Sequence, residues 1–357
     1  MDYTGATSNV GAFGLPHLLA KTVDVVTSYS PATMFFLSNQ KPWTGTQLQK
    51  RIRHTANSNG IAFQGLEEFS TEKEDNYAVM KFNPTGREQP VVLSGIEMSV
   101  GEAGAQNSDT LLASELEANA HDMAEAIAGK FFTAQTGKEF LSLLDGAGDS
   151  TIASSYGGLS RSTYSGLDGN YTNSIGNITL ARLRTQLNAC THGGKSPDLM
   201  LTGKAIWGYI EALMNATLQT TLLQSNLRGY DQFLSTGAIG AAGAKLVGQA
   251  GFNALMFAGV PIVADEKCTS DLLFTLRKET WGFYGVKPSA KLGYTPISFT
   301  SGESDGVMVD APKSLGFGFS GFKMPINQFG EVGHLVLLGN LVCENPRLNG
   351  FLDGITG

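Results

Sequence analysis

The chain has 357 residues and carries 25 Lys and Arg against 32 Asp and Glu, for a net charge of −7. Charged residues make up 16% of the total, where an ordinary soluble protein has about 25%, and glycine is abundant at 44 residues. So few charges cannot clothe a monomer of this size, which points to a chain that covers much of its surface with other subunits.

No long basic block is present, so sequence-independent DNA affinity is expected to be weak. Cys190, Cys268 and Cys343 are too few and too widely spaced for a disulfide framework. The start, MDYTGATSNV, is polar and lacks the basic n-region of a signal peptide. The most apolar stretches, 252–264 and 332–343, are too short or too interrupted to span a membrane. These features predict a chain that works, or is assembled, in a reducing cytosol.

Residues 1–45 read as irregular, yet they hold Phe13, Leu15, Met34, Phe35, Phe36, Leu37 and Trp43. A free tail would not carry so many large apolar side chains; an arm lying along a neighbouring subunit would. Residues 46–100 contain three strand-like pieces, KRIRH, NYAVMKF and QPVVLSGIEMSV, separated by polar turns including Asn83-Pro84-Thr85-Gly86. They predict a long antiparallel hairpin with a polar tip, which needs packing from elsewhere to stay ordered. The basic cluster Lys50, Arg51, Arg53 and His54 is expected to answer the acidic run Glu67, Glu68, Glu72, Glu74 and Asp75, across the hairpin or a subunit contact.

The clearest helix is predicted over 109–135. Asp109 is the candidate N-cap, Leu112, Leu116, Ala120, Met123, Ile127 and Phe131 form one apolar stripe, and Gly137 is the candidate stop. Residues 145–177 read as a Gly/Ser/Thr/Asn loop. LARLRTQLNAC then reads as a helix, and DLMLTG as a strand feeding another helix, with Thr202 as cap and Ile206, Ile210, Leu213 and Met214 as the buried face. Residues 221–251 read as mixed and loop-rich. FNALMFAGVPIVAD and DLLFTLRKETWGFYG resemble strands of a compact mixed sheet. GEVGHLVLLGNLVCENP is apolar on both faces of an extended chain, as a doubly buried strand requires.

Motifs that would carry chemistry are weak. Gly316-Phe-Gly318-Phe-Ser-Gly321 matches the dinucleotide fingerprint in letters, but Pro325 would interrupt the helix that must begin there and no βαβ unit surrounds it. There is no phosphate loop, HExxH, CxxC or GxSxG. His17, His54, His121, His192 and His334 have no partner at metal-ligand spacing. Cys190 and His192 form a lone Cys-x-His, and Asp168-Gly-Asn170 lacks the rest of a calcium loop. Trp207, Trp281, Phe283, Tyr284, Phe317, Phe319 and Phe322 lack the basic neighbours of a nucleic-acid platform and read as packing residues. No catalytic residue, cofactor site or metal site is assigned.

Taken in order, an irregular arm, a long hairpin, a spine helix, a compact mixed domain and a returning strand resemble the major capsid protein of tailed double-stranded DNA bacteriophages. The local sequences agree: DLMLTGKAIWGYIEAL at 198–213, FNALMFAGVPIVADEKC at 252–268 and GNLVCENPRLNGFLDGI at 339–355. The resemblance implies a mixed α+β fold in five parts. Residues 1–45 would be the N-terminal arm, 46–103 the extended loop, 104–140 the peripheral domain with its spine helix, 141–309 the axial domain, and 310–357 the return segment of the peripheral domain. It implies a non-enzymatic subunit that assembles into hexamers and pentamers of an icosahedral head enclosing DNA. The partners implied are other copies, a separate scaffolding protein, a portal and in some cases cement proteins, with DNA contacted weakly and no membrane. Assembly would take place in the host bacterial cytoplasm and the product would be the virion. Some relatives crosslink subunits through a loop Lys and a peripheral-domain Asn beside a carboxylate; Lys50, Lys73, Lys81 and Asn345 are the corresponding residue types here, and no motif selects a pair. The shell of a bacterial protein nanocompartment shares the fold and is the alternative, and a soluble carbohydrate-active enzyme is the alternative from another class.

Overall fold

The computed structural model describes residues 30–38, 40–66, 68–69, 71–96, 108–218, 255–292, 294–296, 316–327 and 329–356. The expectations for residues 1–29 and 221–251 lie outside this set. The described residues form a mixed α+β fold around two six-stranded sheets.

The long strand Gly330–Cys343 organises the first sheet. It pairs antiparallel with Thr85–Ser94 over 330–339, with Phe317–Phe319 at its centre and with Trp281–Gly285 over its last five residues. Gln40–Pro42 then adds in parallel to Trp281–Gly285. The third piece of the expected hairpin, QPVVLSGIEMSV at 89–100, therefore lies over its first six residues in a strand of this sheet, which begins at Thr85 inside the expected turn. It finds a partner about 245 residues away because Val91 and Leu93 belong to the core.

The second sheet runs in the order Leu255–Phe257, Val260–Ala264, Leu199–Thr202, Leu273–Leu276, Gly350–Leu352, Asn170–Thr172. Its central strands alternate between two cores, as a period of two demands. Leu201, Val263, Phe274 and Phe351 face the main core, while Met200, Ile262, Leu273 and Leu352 face the helices Leu180–Ala189 and Lys204–Leu218. Coverage on both faces explains why these strands read as continuous apolar runs. Ile206 and Ile210 are buried as expected, but Thr202 is no cap: its hydroxyl lies within the sheet and donates to the Leu272 carbonyl at 2.9 Å.

The helix Ser108–Phe131 has 24 residues, about 36 Å at 1.5 Å per residue. Met123, Ile127 and Phe131 are buried, and Leu116 and Ala120 pack against the same core. Burial of Ile127 and Phe131 stabilises the fold by about 2 kcal/mol each. The helix begins at Ser108, so Asp109 lies inside it, and it ends four residues before the predicted limit. The chain turns there to bury Phe132 against Phe274. The following segment is held by Asp145, whose carboxylate accepts from the Gln135 amide at 3.0 Å.

The expected arm contains a helix, Pro31–Ser38. Ala32, Phe35 and Phe36 enter this chain's own core rather than a neighbour's, with Phe36 against Phe131 and Trp281. The helix start is anchored by buried Asp265, which accepts from the Ser30 hydroxyl at 2.7 Å and the Ala32 amide at 3.0 Å.

The two sheets are joined twice, side by side. The run DLLFTLRKETWGFYG breaks at the 3-10 turn Lys278–Thr280, so Leu273–Leu276 belongs to one sheet and Trp281–Gly285 to the other. The return segment breaks likewise at Pro346–Leu348. Buried Asn349 ties the crossings together. Its Oδ1 accepts from Trp281 Nε1 and from the Arg277 amide, each at 2.8 Å, and its Nδ2 donates to Thr280 Oγ1 and the Asn345 carbonyl.

Candidate assembly surfaces

A hairpin projects from the body. Leu48–Arg53 pairs with Tyr77–Phe82 in a register that sets Leu48 opposite Phe82 and Arg53 opposite Tyr77. The root is buried through Met80 and Phe82, with the Phe82 ring 5.4 Å from Tyr156 and the Lys81 amide donating to the Gly157 carbonyl at 2.8 Å. Higher up, the His54 ring meets Tyr164 at 4.9 Å.

Between these strands, the described residues of 54–76 form no helix or strand. They are linked by polar bonds: Asn59 donates to the Glu72 carbonyl, and the Ser58 hydroxyl and amide donate to Glu74, which lowers the Glu74 pKa. Ile61, Phe63, Leu66 and Phe69 nevertheless stand exposed, and the Phe63 and Phe69 rings touch edge to face at 5.0 Å. The tip, expected to be polar, exposes polar side chains such as Gln64, Glu68, Glu72 and Lys73, and these four apolar ones stand among them. Exposed apolar groups clustered in this way mark interaction surfaces.

The basic cluster does not answer the acidic run through its described contacts. Lys50 pairs with Glu344 at 2.6 Å, Arg51 covers the Tyr77 ring at 4.0 Å, and Arg53 donates to the Thr55 carbonyl. Lys50 is opposite Met80 near the root, whereas Glu68, Glu72, Glu74 and Asp75 lie beyond the Arg53–Tyr77 end of the ribbon.

A second exposed apolar group lies at one end of the first sheet. Val92, Ile96 and Phe329 are exposed there, and Met324 and Ile326 are exposed on the segment that leads to Phe329. Phe329 lies over Gly95, where a Cβ would fall 2.5 Å from its ring, and its carbonyl accepts from the Gly95 amide at 3.0 Å.

Glu344 joins the hairpin to the body. Its carboxylate accepts from Lys50 Nζ at 2.6 Å, Tyr284 Oη at 2.6 Å and Lys41 Nζ at 3.2 Å. Partial burial opposes the charge, but the hydrogen bonds from Lys50, Tyr284 and Lys41 outweigh it and hold the Glu344 pKa at about 2. Burial and the bond to Glu344 push the Tyr284 phenol up.

The remaining residues singled out from sequence fall as follows. Gly316–Gly321 contains a strand, Phe317–Phe319, not a helix start. Its Gly316 has φ +98°, and a Cβ there would meet the Leu338 carbonyl oxygen at 2.5 Å. Asp168 approaches Arg161, and Asn170 lies in a strand and donates to the Arg347 carbonyl. Cys190, Cys268 and Cys343 are buried, and burial raises all three thiol pKa values, to about 12 for Cys190 and Cys343. Trp281 and Phe283 are core residues. Lys73, Lys81 and Asn345 are exposed, with Asn345 adjacent in sequence to Glu344. Among the described residues no group of three or more His, Cys, Asp or Glu is placed to hold a metal, and no helix is long and apolar enough to cross a membrane.

No family model matches the sequence, and no curated protein matches it. Solved structures do match. The cyanophage A-1(L) capsid subunit aligns with a TM-score of 0.66 at 13% identity, over 95% of this chain and 97% of that one. The capsid subunit of a native GTA particle aligns at 0.58 and 10% identity, over 99% and 100%. The SrpI encapsulin of Synechococcus elongatus aligns at 0.55 and 11% identity, over 98% and 96%. These likenesses show that the chain has the fold shared by phage capsid and encapsulin subunits.

Proposed function

We propose that this chain is the major capsid protein of a tailed double-stranded DNA bacteriophage, a structural subunit that forms the hexamers and pentamers of an icosahedral head. The observation that carries this reading is the end-to-end alignment with the cyanophage capsid subunit, in which neither chain has a large unmatched part. The four exposed apolar side chains at the hairpin tip support it, because apolar groups clustered in water mark contact surfaces. Residues 46–103 would then be the extended loop reaching a neighbour, 104–140 and 310–357 the peripheral domain, 141–309 the axial domain and 1–45 the arm. The net charge of −7 suits a wall that confines DNA without gripping it. Scaffolding, portal and cement proteins are the further partners of this reading, with assembly in the bacterial cytoplasm.

A second reading, the shell of a protein nanocompartment, is favoured by the alignment with the SrpI encapsulin. Electron microscopy of the chain expressed alone in bacteria, with the nucleic-acid and protein content of the particles measured, tests both. Closed shells or capsomers sustain the shell reading, and protein cargo in place of nucleic acid selects the nanocompartment. A monomer or dimer that persists when candidate scaffolding protein is supplied defeats both.

A further inference from the structure

Residues 145–168 look like a featureless loop in sequence, but one side chain gathers them. Arg161 is fully buried. Its Nη2 donates to the Asp145 carbonyl at 2.5 Å, and its Nη1 donates to the Asp149 and Ala153 carbonyls at 2.9 and 3.3 Å. The Asp168 carboxylate lies 3.9 Å from Nε, and the guanidinium sits 5.2 Å from the centre of the Tyr156 ring. Three carbonyls from successive turns and one carboxylate therefore converge on a single planar fork, a geometry that Lys cannot reproduce. The assembly is fastened to the first sheet by Tyr156, whose hydroxyl donates to the Cys343 carbonyl and accepts from the Cys343 amide.

The residues gathered in this way form the seat of the hairpin. Tyr156 holds Phe82, Gly157 accepts from the Lys81 amide, and Tyr164 meets His54. Gly157 has φ +58°, and a Cβ there would lie 2.8 Å from Met80 Cβ, so the strand rests directly on the loop backbone. Burying a guanidinium is costly. The feature that repays it here is a fixed backbone beneath the hairpin.

We propose that Arg161 is the positioning residue of the hairpin: by clamping residues 145–168 it fixes the direction in which the hairpin and its apolar tip leave the body. In a shell this direction would set the angle between neighbouring subunits and hence the curvature, a consequence that rests on the function proposed above.

The direct test uses the unassembled chain. Spin labels on Thr71→Cys and Asn188→Cys report the tip-to-body distance, because the three native cysteines are buried. The parent background is expected to give one narrow distance distribution. Arg161→Lys, which keeps the charge and loses the fork, is expected to shift and broaden it. Gly157→Ala, which keeps Arg161 but strains the loop backbone where Met80 rests on it, is expected to do the same. Unchanged distributions in folded variants overturn the proposal, and if Arg161→Lys does not fold, Asp168→Asn, which removes the carboxylate beside Arg161 Nε, takes its place, with an unchanged distribution again overturning the proposal. Microscopy of assembled material then reads the curvature: altered diameters in the variants support it, and unchanged diameters overturn that half. A parent chain that forms no shells at all defeats the shell reading while the distance result stands.

Discussion

Trp281 Nε1 donates to Asn349 Oδ1 at 2.8 Å, fully out of water, at the point where two chain segments pass together from one sheet to the other. The indole belongs to the strand Trp281–Gly285 and the amide to the end of the return segment, so this bond fixes how the two sheets meet. Asn349→Ala leaves Trp281 Nε1 and the Arg277 amide without an acceptor. A buried orphan donor costs about 1–3 kcal/mol, so the variant should lose about 3 kcal/mol or more of stability. The shift of its urea midpoint against the parent chain checks this.

Glu344 makes a pH-dependent contribution of known sign. Its folded pKa of about 2 lies below the ordinary glutamate value of 4.5, so its stabilisation is present above pH 4.5 and is lost as pH falls from there towards 2. Glu344→Gln should cost about 1–2 kcal/mol at pH 7. That difference should shrink through this acid window. Parallel denaturation series at pH 7, 4.5 and 3 measure it, and an equal cost at all three would defeat the assignment.

The exposed tip separates folding from association. Leu66→Ser removes an exposed side chain and should change monomer stability by no more than about 0.5 kcal/mol. If the tip is an association hot spot, loss of its contact should raise the concentration needed for assembly about tenfold or more. Light scattering against protein concentration reads this, with circular dichroism confirming the fold.

Pro90 lies on a sheet edge that pairs with no further strand among the described residues. Ser320 bonds both the amide and the carbonyl of His334, and Val332 exchanges both bonds with Lys323. The backbone groups of His334 and Val332 therefore point away from Thr85–Ser94, and their partners Pro90 and Val92 must direct theirs to the free edge. Proline there offers no donor to an intruding strand. Pro90→Thr should leave stability within about 0.5 kcal/mol and increase irregular aggregation, which sedimentation of freshly refolded protein quantifies.

What sequence reading recovers here follows from how local the signal is. Met123, Ile127 and Phe131 repeat at helical spacing, so the spine helix was legible from one window of residues. The strand Leu199–Thr202 and the helix after it were legible for the same reason. Thr85–Ser94 has no local mark of its partner, because a strand's register is decided by the residues opposite it, here those of 330–339. Asn349 carries no motif in NPRLNG, and nothing local says that Trp281 and Arg277 converge on it. Composition alone suggested a surface meant for other subunits. Only the fold shows that Phe36 belongs to the chain's own core, while Phe63 and Phe69 do not.

The buried thiols carry a consequence for handling and for biology. Oxidants attack the exposed thiolate, and Cys190, Cys268 and Cys343 are withdrawn from solvent and disfavoured as thiolates. The thiols of the folded chain are therefore shielded from oxidants, and a cysteine added to its surface will be the thiol that reacts.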